Sequence, residues 1–199
     1  MTIGLFGGTF DPPHLGHLEV SRCAQLSYGL NEVWWVCAYR PPHKPGSGLT
    51  PYRHRLAMTK LAVRGHPRLA ASDIESALPQ PSYTIATLSA FQWRFPAHEF
   101  VLVMGQDSLA QFGRWHQPQA IADQARLLVY PRRGWVVQAL PHYLQGRVRW
   151  MEVSPIAMES ASIRALAEAN RSIAGYVRPS VAAYIETQGL YGSHSSESG

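Results

Sequence analysis

Four short stretches of this 199-residue chain are apolar without alternation: Ile3–Phe6 (IGLF), Val33–Ala38 (VWWVCA), Phe100–Met104 (FVLVM) and Leu127–Tyr130 (LLVY). A strand with one wet face alternates apolar and polar side chains, whereas a strand that is apolar throughout must be covered on both faces. Between these runs lie segments with helical spacing, over Leu15–Tyr28, Tyr52–Arg64 and Thr84–Trp93. Parallel strands need such crossovers, because a tight turn cannot join them. Weaker strand signals at Arg68–Ile74 and Val148–Val153 continue the pattern, as do short helical ones at Ser108–Phe112, Gln119–Asp123, Ser162–Ala169 and Pro179–Gln188. The expectation is one α/β domain with a doubly wound, mostly parallel sheet. No repeat or linker divides it, so the domain is expected over 1–191, followed by a disordered polar tail at 192–199 (GSHSSESG).

Charge narrows the ligand. Lysine and arginine together number 18 against 13 acidic residues, and only Lys44 and Lys60 are lysines. Arginine carries a planar fork of donors that suits phosphate and carboxylate oxygens, so an anionic ligand fits. No basic run is interleaved with aromatics, and no nucleic-acid partner is expected. Cys23 and Cys37 stand alone, without a CxxC or a disulfide framework, which fits a reducing compartment. No apolar run approaches the roughly 20 residues of a membrane span, and glycines break the N-terminal apolar run as a leader would not allow. A soluble cytoplasmic protein is the expectation, with its oligomeric state left open.

The chemistry concentrates where the first strand should end. There the chain reads GGTFDPPHLGH, Gly7 to His17. In a doubly wound sheet, ligands bind outside the carboxyl ends of the strands, and glycine there lets backbone N–H groups approach a ligand. A dinucleotide fingerprint needs G-x-G-x-x-G and an acidic residue after the second strand. Here the glycines are Gly4, Gly7 and Gly8, and the second strand ends in Ala38-Tyr39-Arg40. No Gly-Lys-Ser/Thr of a P-loop occurs. Metal ligation by His14 and His17 lacks a third ligand at suitable spacing, so no protein metal site is expected. A glycine turn followed by incidental histidines is the bland alternative. The remaining reading pairs the two histidines on one face at a helix N-terminus, where free N–H groups and the helix dipole already favour anions. That arrangement suits phosphate-transfer chemistry.

The string GGTFDPPHLGH resembles the T/HxGH signature of the nucleotidyltransferase superfamily, which is related to the HIGH motif of class I aminoacyl-tRNA synthetases. More narrowly, the chain resembles the bacterial nicotinate-nucleotide adenylyltransferases over nearly its whole length. The segments that carry this are PPHKP at 41–45, PSYTIATL at 81–88, MGQDSL at 104–109, Trp115, RRG at 132–134, SIRAL at 162–166 and YIETQGLY at 184–191. The resemblance implies a Rossmann-like nucleotidyltransferase fold that transfers AMP from ATP to nicotinate mononucleotide, with Mg²⁺ arriving on the ATP. It implies that His14 and His17 act on the phosphates as catalytic groups. By the same resemblance Gly7, Gly8, Thr9, Phe10, Asp107, Arg132 and Arg164 contact ATP. His43 and Lys44 would meet the acceptor phosphate. Ser82, Tyr83 and Thr84 would present a helix start to the nicotinate carboxylate, and Trp115 would stack on the pyridine ring. From its position alone, Asp107 also reads as an N-cap for the helix that follows.

One segment departs from that pattern. Where the family has Ile-Ser-Ser/Ala-Thr-x-Ile-Arg, this chain has Met158-Glu159-Ser160-Ala161-Ser162-Ile163-Arg164. Ser160 and Ser162 are expected to supply ATP-binding hydroxyls from shifted positions, with Glu159 turned away or near the metal. The alternatives are an adenylyltransferase for another acceptor, such as nicotinamide mononucleotide or phosphopantetheine, and a catalytically weak nucleotide sensor.

Overall fold

The computed structural model describes residues 1–41, 48–137, 139–155 and 157–192. Six strands form one sheet: β1 (Thr2–Gly8), β2 (Glu32–Cys37), β3 (Leu69–Ser72), β4 (Glu99–Gly105), β5 (Arg126–Tyr130) and β6 (Val148–Trp150). Every neighbouring pair is parallel, and the order across the sheet is β3-β2-β1-β4-β5-β6. The helices are α1 (Leu15–Tyr28), α2 (Tyr52–Val63), α3 (Thr84–Arg94), α4 (Gln106–Ala110), α5 (Pro118–Gln124), α6 (Ser160–Glu168) and α7 (Pro179–Thr187).

Alternate residues of each central strand feed opposite layers. Phe6, Val101, Val103 and Leu128 pack with Val20 and Ala24 of α1, Met58 of α2 and Val181 and Ile185 of α7. Ile3, Leu5, Leu102, Leu127 and Val129 pack on the other face with Leu88 and Phe91 of α3 and Ile121 of α5. Both faces are therefore dry, which is why β1, β4 and β5 show no polar alternation. Each fully buried Leu, Ile or Phe side chain contributes about 1.5–3 kcal/mol of transfer free energy.

The doubly wound parallel sheet expected from the apolar runs is the fold observed. Boundaries differ at the edges. The strand expected over Arg68–Ile74 is shortened to Leu69–Ser72, because Ile74–Ala77 winds into a 3₁₀ turn. The one expected over Val148–Val153 stops at Trp150, on an edge strand with a partner on one side only. The helix expected from Ser108 begins at Gln106, directly off β4, and the one expected from Ser162 begins at Ser160. No helix among the described residues is long and apolar enough to cross a membrane.

From β1 the chain moves toward β2 and β3, while from β4 it moves the opposite way, toward β5 and β6. β1 and β4 are neighbours, so the sheet has its switch point between them. A crevice opens there at the carboxyl ends of the strands.

Candidate active site

A cleft of about 640 Å³ lies at that switch point. Its floor is the end of β1. Nothing lies within 4 Å of where a Cβ on Gly7 would stand, so its backbone is open to the cleft. Gly8 faces inward: a Cβ there would sit 3.1–3.3 Å from the Phe10 ring. Phe10 takes a left-handed backbone (φ 49°). It folds its ring onto Trp35, with centroids 5.0 Å apart and planes 8° apart. Phe10 is thus a structural prop whose ring is fully buried.

His14 caps α1 and His17 is its third residue. The His14 backbone N–H donates to His17 Nδ1 at 3.1 Å. An Nδ1 that accepts carries no proton, so the neutral ring is protonated at Nε2. The rings stack with centroids 3.6 Å apart, and His17 is hemmed in by Phe6, Phe10 and Trp35. Burial, and then the nearby Arg132 charge, pull the His14 pKa down from 6.5 to about 3. His17 is held well below 6.5 by burial, then by His14 and Arg132. Both imidazoles are neutral donors near pH 7. His14 Nδ1 is buried without a partner among the described groups.

Stability should follow this titration. Below pH 6.5 the unfolded histidines take up protons that the folded ones refuse. The stabilisation is therefore complete above that pH and falls as pH drops from 6.5 toward 3 for His14. The slope is about 1.4 kcal/mol per pH unit for each fully discriminating group. Urea midpoints of the ligand-free protein should fall between pH 7.5 and pH 5.5, and less steeply in His14→Gln. Parallel slopes in the two proteins would contradict the assignment.

The opposite wall comes from β4, β5 and α6. Asp107 Oδ1 is buried and has no partner among the described groups. Arg132 sits between two carboxylates, with Nη1 3.7 Å from Asp107 Oδ2 and Nη2 3.4 Å from Glu159 Oε1. Arg164 lines the cleft and donates to the Asp11 carbonyl at 2.7 Å. Ser160 donates to the Pro12 carbonyl at 2.9 Å, so its hydroxyl proton is engaged by the loop before α1. Asp11 itself is buried, accepting from the Tyr191 hydroxyl at Oδ1 and from the Thr50 N–H at Oδ2.

At the far end stand Thr84, in the first turn of α3, and Trp115. Buried Glu75 also lines this end, accepting from the Thr87 hydroxyl at 2.9 Å and the Tyr39 N–H at 3.1 Å.

The structure thus gathers Gly7, Gly8, Thr9, Phe10, His14, His17, Thr84, Asp107, Trp115, Arg132, Ser160 and Arg164 around one cleft. Three expected residues lie elsewhere. Ser162 is exposed, because α6 turns it away from the side that carries Ser160 and Arg164. Tyr83 stacks on His116, 4.3 Å between centroids. Ser82 does not cap α3: its hydroxyl accepts from the Arg40 N–H at 3.0 Å and donates to Gln80 Oε1. Asp107 is not an N-cap either, since Gly105 holds that position. His43 and Lys44 fall outside the described residues. Glu75 was not foreseen. In the sequence SDIESA it resembles an ordinary surface charge, and only the fold buries it.

The sequence profile of the cytidylyltransferase-like family matches residues 5–185. A relative from Salinibacter ruber, named "Probable nicotinate-nucleotide adenylyltransferase", is 39% identical over 191 residues, covering 96% of this chain and 98% of the relative. A protein of the same name from Thermomicrobium roseum is 37% identical over 194 residues, covering 95% and 91%. Among solved structures, the fold is similar to Plasmodium falciparum nicotinic acid mononucleotide adenylyltransferase complexed with NaAD. The TM-score is 0.77 at 18% identity, covering 96% of this chain and 97% of that one.

Proposed function

The chain belongs to the cytidylyltransferase-like family, and from that premise we propose that it transfers AMP from ATP to nicotinate mononucleotide, releasing pyrophosphate. The observation that carries this reading is the stacked His14–His17 pair at the head of α1, beside the open Gly7 backbone. The acceptor attacks with a phosphate oxygen. A phosphomonoester has a second pKa of about 6, so that oxygen is already ionised and needs no general base. What remains is alignment and stabilisation of the charge that builds on the α-phosphate.

His17 Nε2–H donates to that charge, and its tautomer is set in advance by the His14 N–H. His14 stands beside it as the second donor. Arg132 and Arg164 supply fixed positive charge for the triphosphate, and Asp107 accepts from the nucleotide. Glu159 leaves Arg132 when the triphosphate arrives. A divalent cation, Mg²⁺ in this reading, would arrive with the ATP and would supply charge neutralisation for the pyrophosphate. An ion brought in by ATP would be held mostly by phosphate oxygens and water. The uncapped first turn of α3 at Thr84 faces the acceptor end, where a helix N-terminus favours a carboxylate over a neutral amide. Trp115 covers the pyridine ring.

The test is pyrophosphate release from ATP, Mg²⁺ and nicotinate mononucleotide. Release well above background is expected, with a higher kcat/KM for the nicotinate than for the nicotinamide acceptor. Release only with a different acceptor would reassign the substrate, and nucleotide binding without release with any acceptor would mark a sensor.

A further inference from the structure

Arg55 is 2% exposed, and no carboxylate pairs with it among the described residues. A guanidinium buried without a counter-charge is costly unless its donors are satisfied by well-placed acceptors. Here they are satisfied by main-chain carbonyls from three separate segments. Nη1 donates to Thr9 O at 2.9 Å and to Ala38 O at 2.7 Å. Nη2 donates to Tyr39 O at 3.2 Å, and Nε to Thr50 O at 2.9 Å.

The Thr9 and Tyr39 contacts matter most. Thr9 belongs to the loop between β1 and the histidines and lines the phosphate end of the cleft. Tyr39 lies past the end of β2, and its N–H donates to Glu75, which also takes the Thr87 hydroxyl at the acceptor end. The line Thr9–Arg55–Tyr39–Glu75–Thr87 is therefore an unbroken series of hydrogen bonds from one end of the cleft to the other. The Tyr39 residue is gripped from both sides: its carbonyl faces a buried cation and its N–H a buried anion. Hydrogen bonds to charged groups are the strong ones, and in a low-dielectric interior a series of them reinforces itself. Neither Arg55 nor Glu75 is needed to hold a phosphate in the scheme above, yet both are buried, Glu75 in the cleft wall and Arg55 bonded to Thr9 of that wall.

We propose that Arg55 and Glu75 are positioning residues that couple the nucleotide and acceptor ends of the cleft, so that each substrate binds more tightly when the other is present. This rests on the two-substrate reading given above. A ligand that orders the Thr9 loop fixes the Arg55 fork, and through Tyr39 that fork fixes Glu75 and the wall of the acceptor end. Coupling of this kind is reciprocal.

The test is the Kd of α,β-methylene ATP, measured calorimetrically with and without saturating nicotinate mononucleotide, alongside pyrophosphate release from ATP. In the unmodified protein the acceptor should tighten the analogue by at least about 5-fold, and in Arg55→Lys that factor should fall to about 1 while affinity for the analogue alone moves by less than about 3-fold. Arg55→Lys keeps the charge but loses the fork. Glu75→Gln keeps the volume but gives up one of its two acceptor oxygens, and it should lose the factor as well. A damaged fold would weaken both ligands without abolishing their synergy. An active protein with no synergy, or variants that keep it, would overturn the coupling. If neither variant folds, these residues only hold the scaffold and the coupling is likewise overturned. A protein that releases no pyrophosphate with any acceptor would sink the function reading instead.

Discussion

His17→Ala should lower kcat by about 10²–10³-fold, the loss typical of removing one donor from a developing oxyanion. KM for ATP should change far less, because the donor acts mainly on charge that appears during transfer. The structure sharpens this beyond deletion of a ring. His17 Nδ1 is occupied by the His14 N–H, so Nε2–H is the ring's one free donor, in a residue that lines the cleft. His17→Ala also strips the His14 N–H of its acceptor, at a cost to stability of about 1 kcal/mol. Single-turnover rates together with urea unfolding would separate the two effects. A variant with near-normal turnover would remove His17 from the chemistry.

Gly105→Ala should reduce kcat/KM for ATP by about 100-fold, the scale set by misplacing a binding group by an ångström. The added Cβ would stand 2.2 Å from Asp107 Oδ1 and 3.1 Å from both Arg132 Cδ and the Tyr130 ring. The backbone of Gly105 is ordinary (φ −76°, ψ 158°), so alanine fits the local conformation. The tip of Asp107 can swing aside, which spares the fold. That swing removes from the cleft a carboxylate oxygen that is buried and free of partners among the described groups. Thermal unfolding should therefore stay nearly unchanged while nucleotide affinity falls. Unaltered ATP affinity would show that Asp107 does not touch the nucleotide.

Much of this arrangement is legible in the sequence. The apolar runs 33–38, 100–104 and 127–130 read as covered strands, and the three-residue spacing of His14 and His17 places them on one face of a helix start. The strand order was not legible, since it depends on which faces the crossovers cover. The losses at the site have local causes. Ser162 departs from its expected place because α6 begins at Ser160, and two residues along a helix is more than half a turn. Ser82 precedes an apolar run as a cap would, but its hydroxyl accepts from the Arg40 N–H, 42 residues away in sequence. Arg55 and Glu75 carry no pattern at all, because their partners are main-chain or hydroxyl groups that only the folded chain assembles.

The bond between Tyr191 and Asp11 spans 180 positions of the chain. It ties the segment that follows α7 to the loop that leads from β1 into the two histidines. Because Asp11 is buried, the order of the loop ahead of His14 depends on a hydroxyl contributed from the opposite end of the described residues.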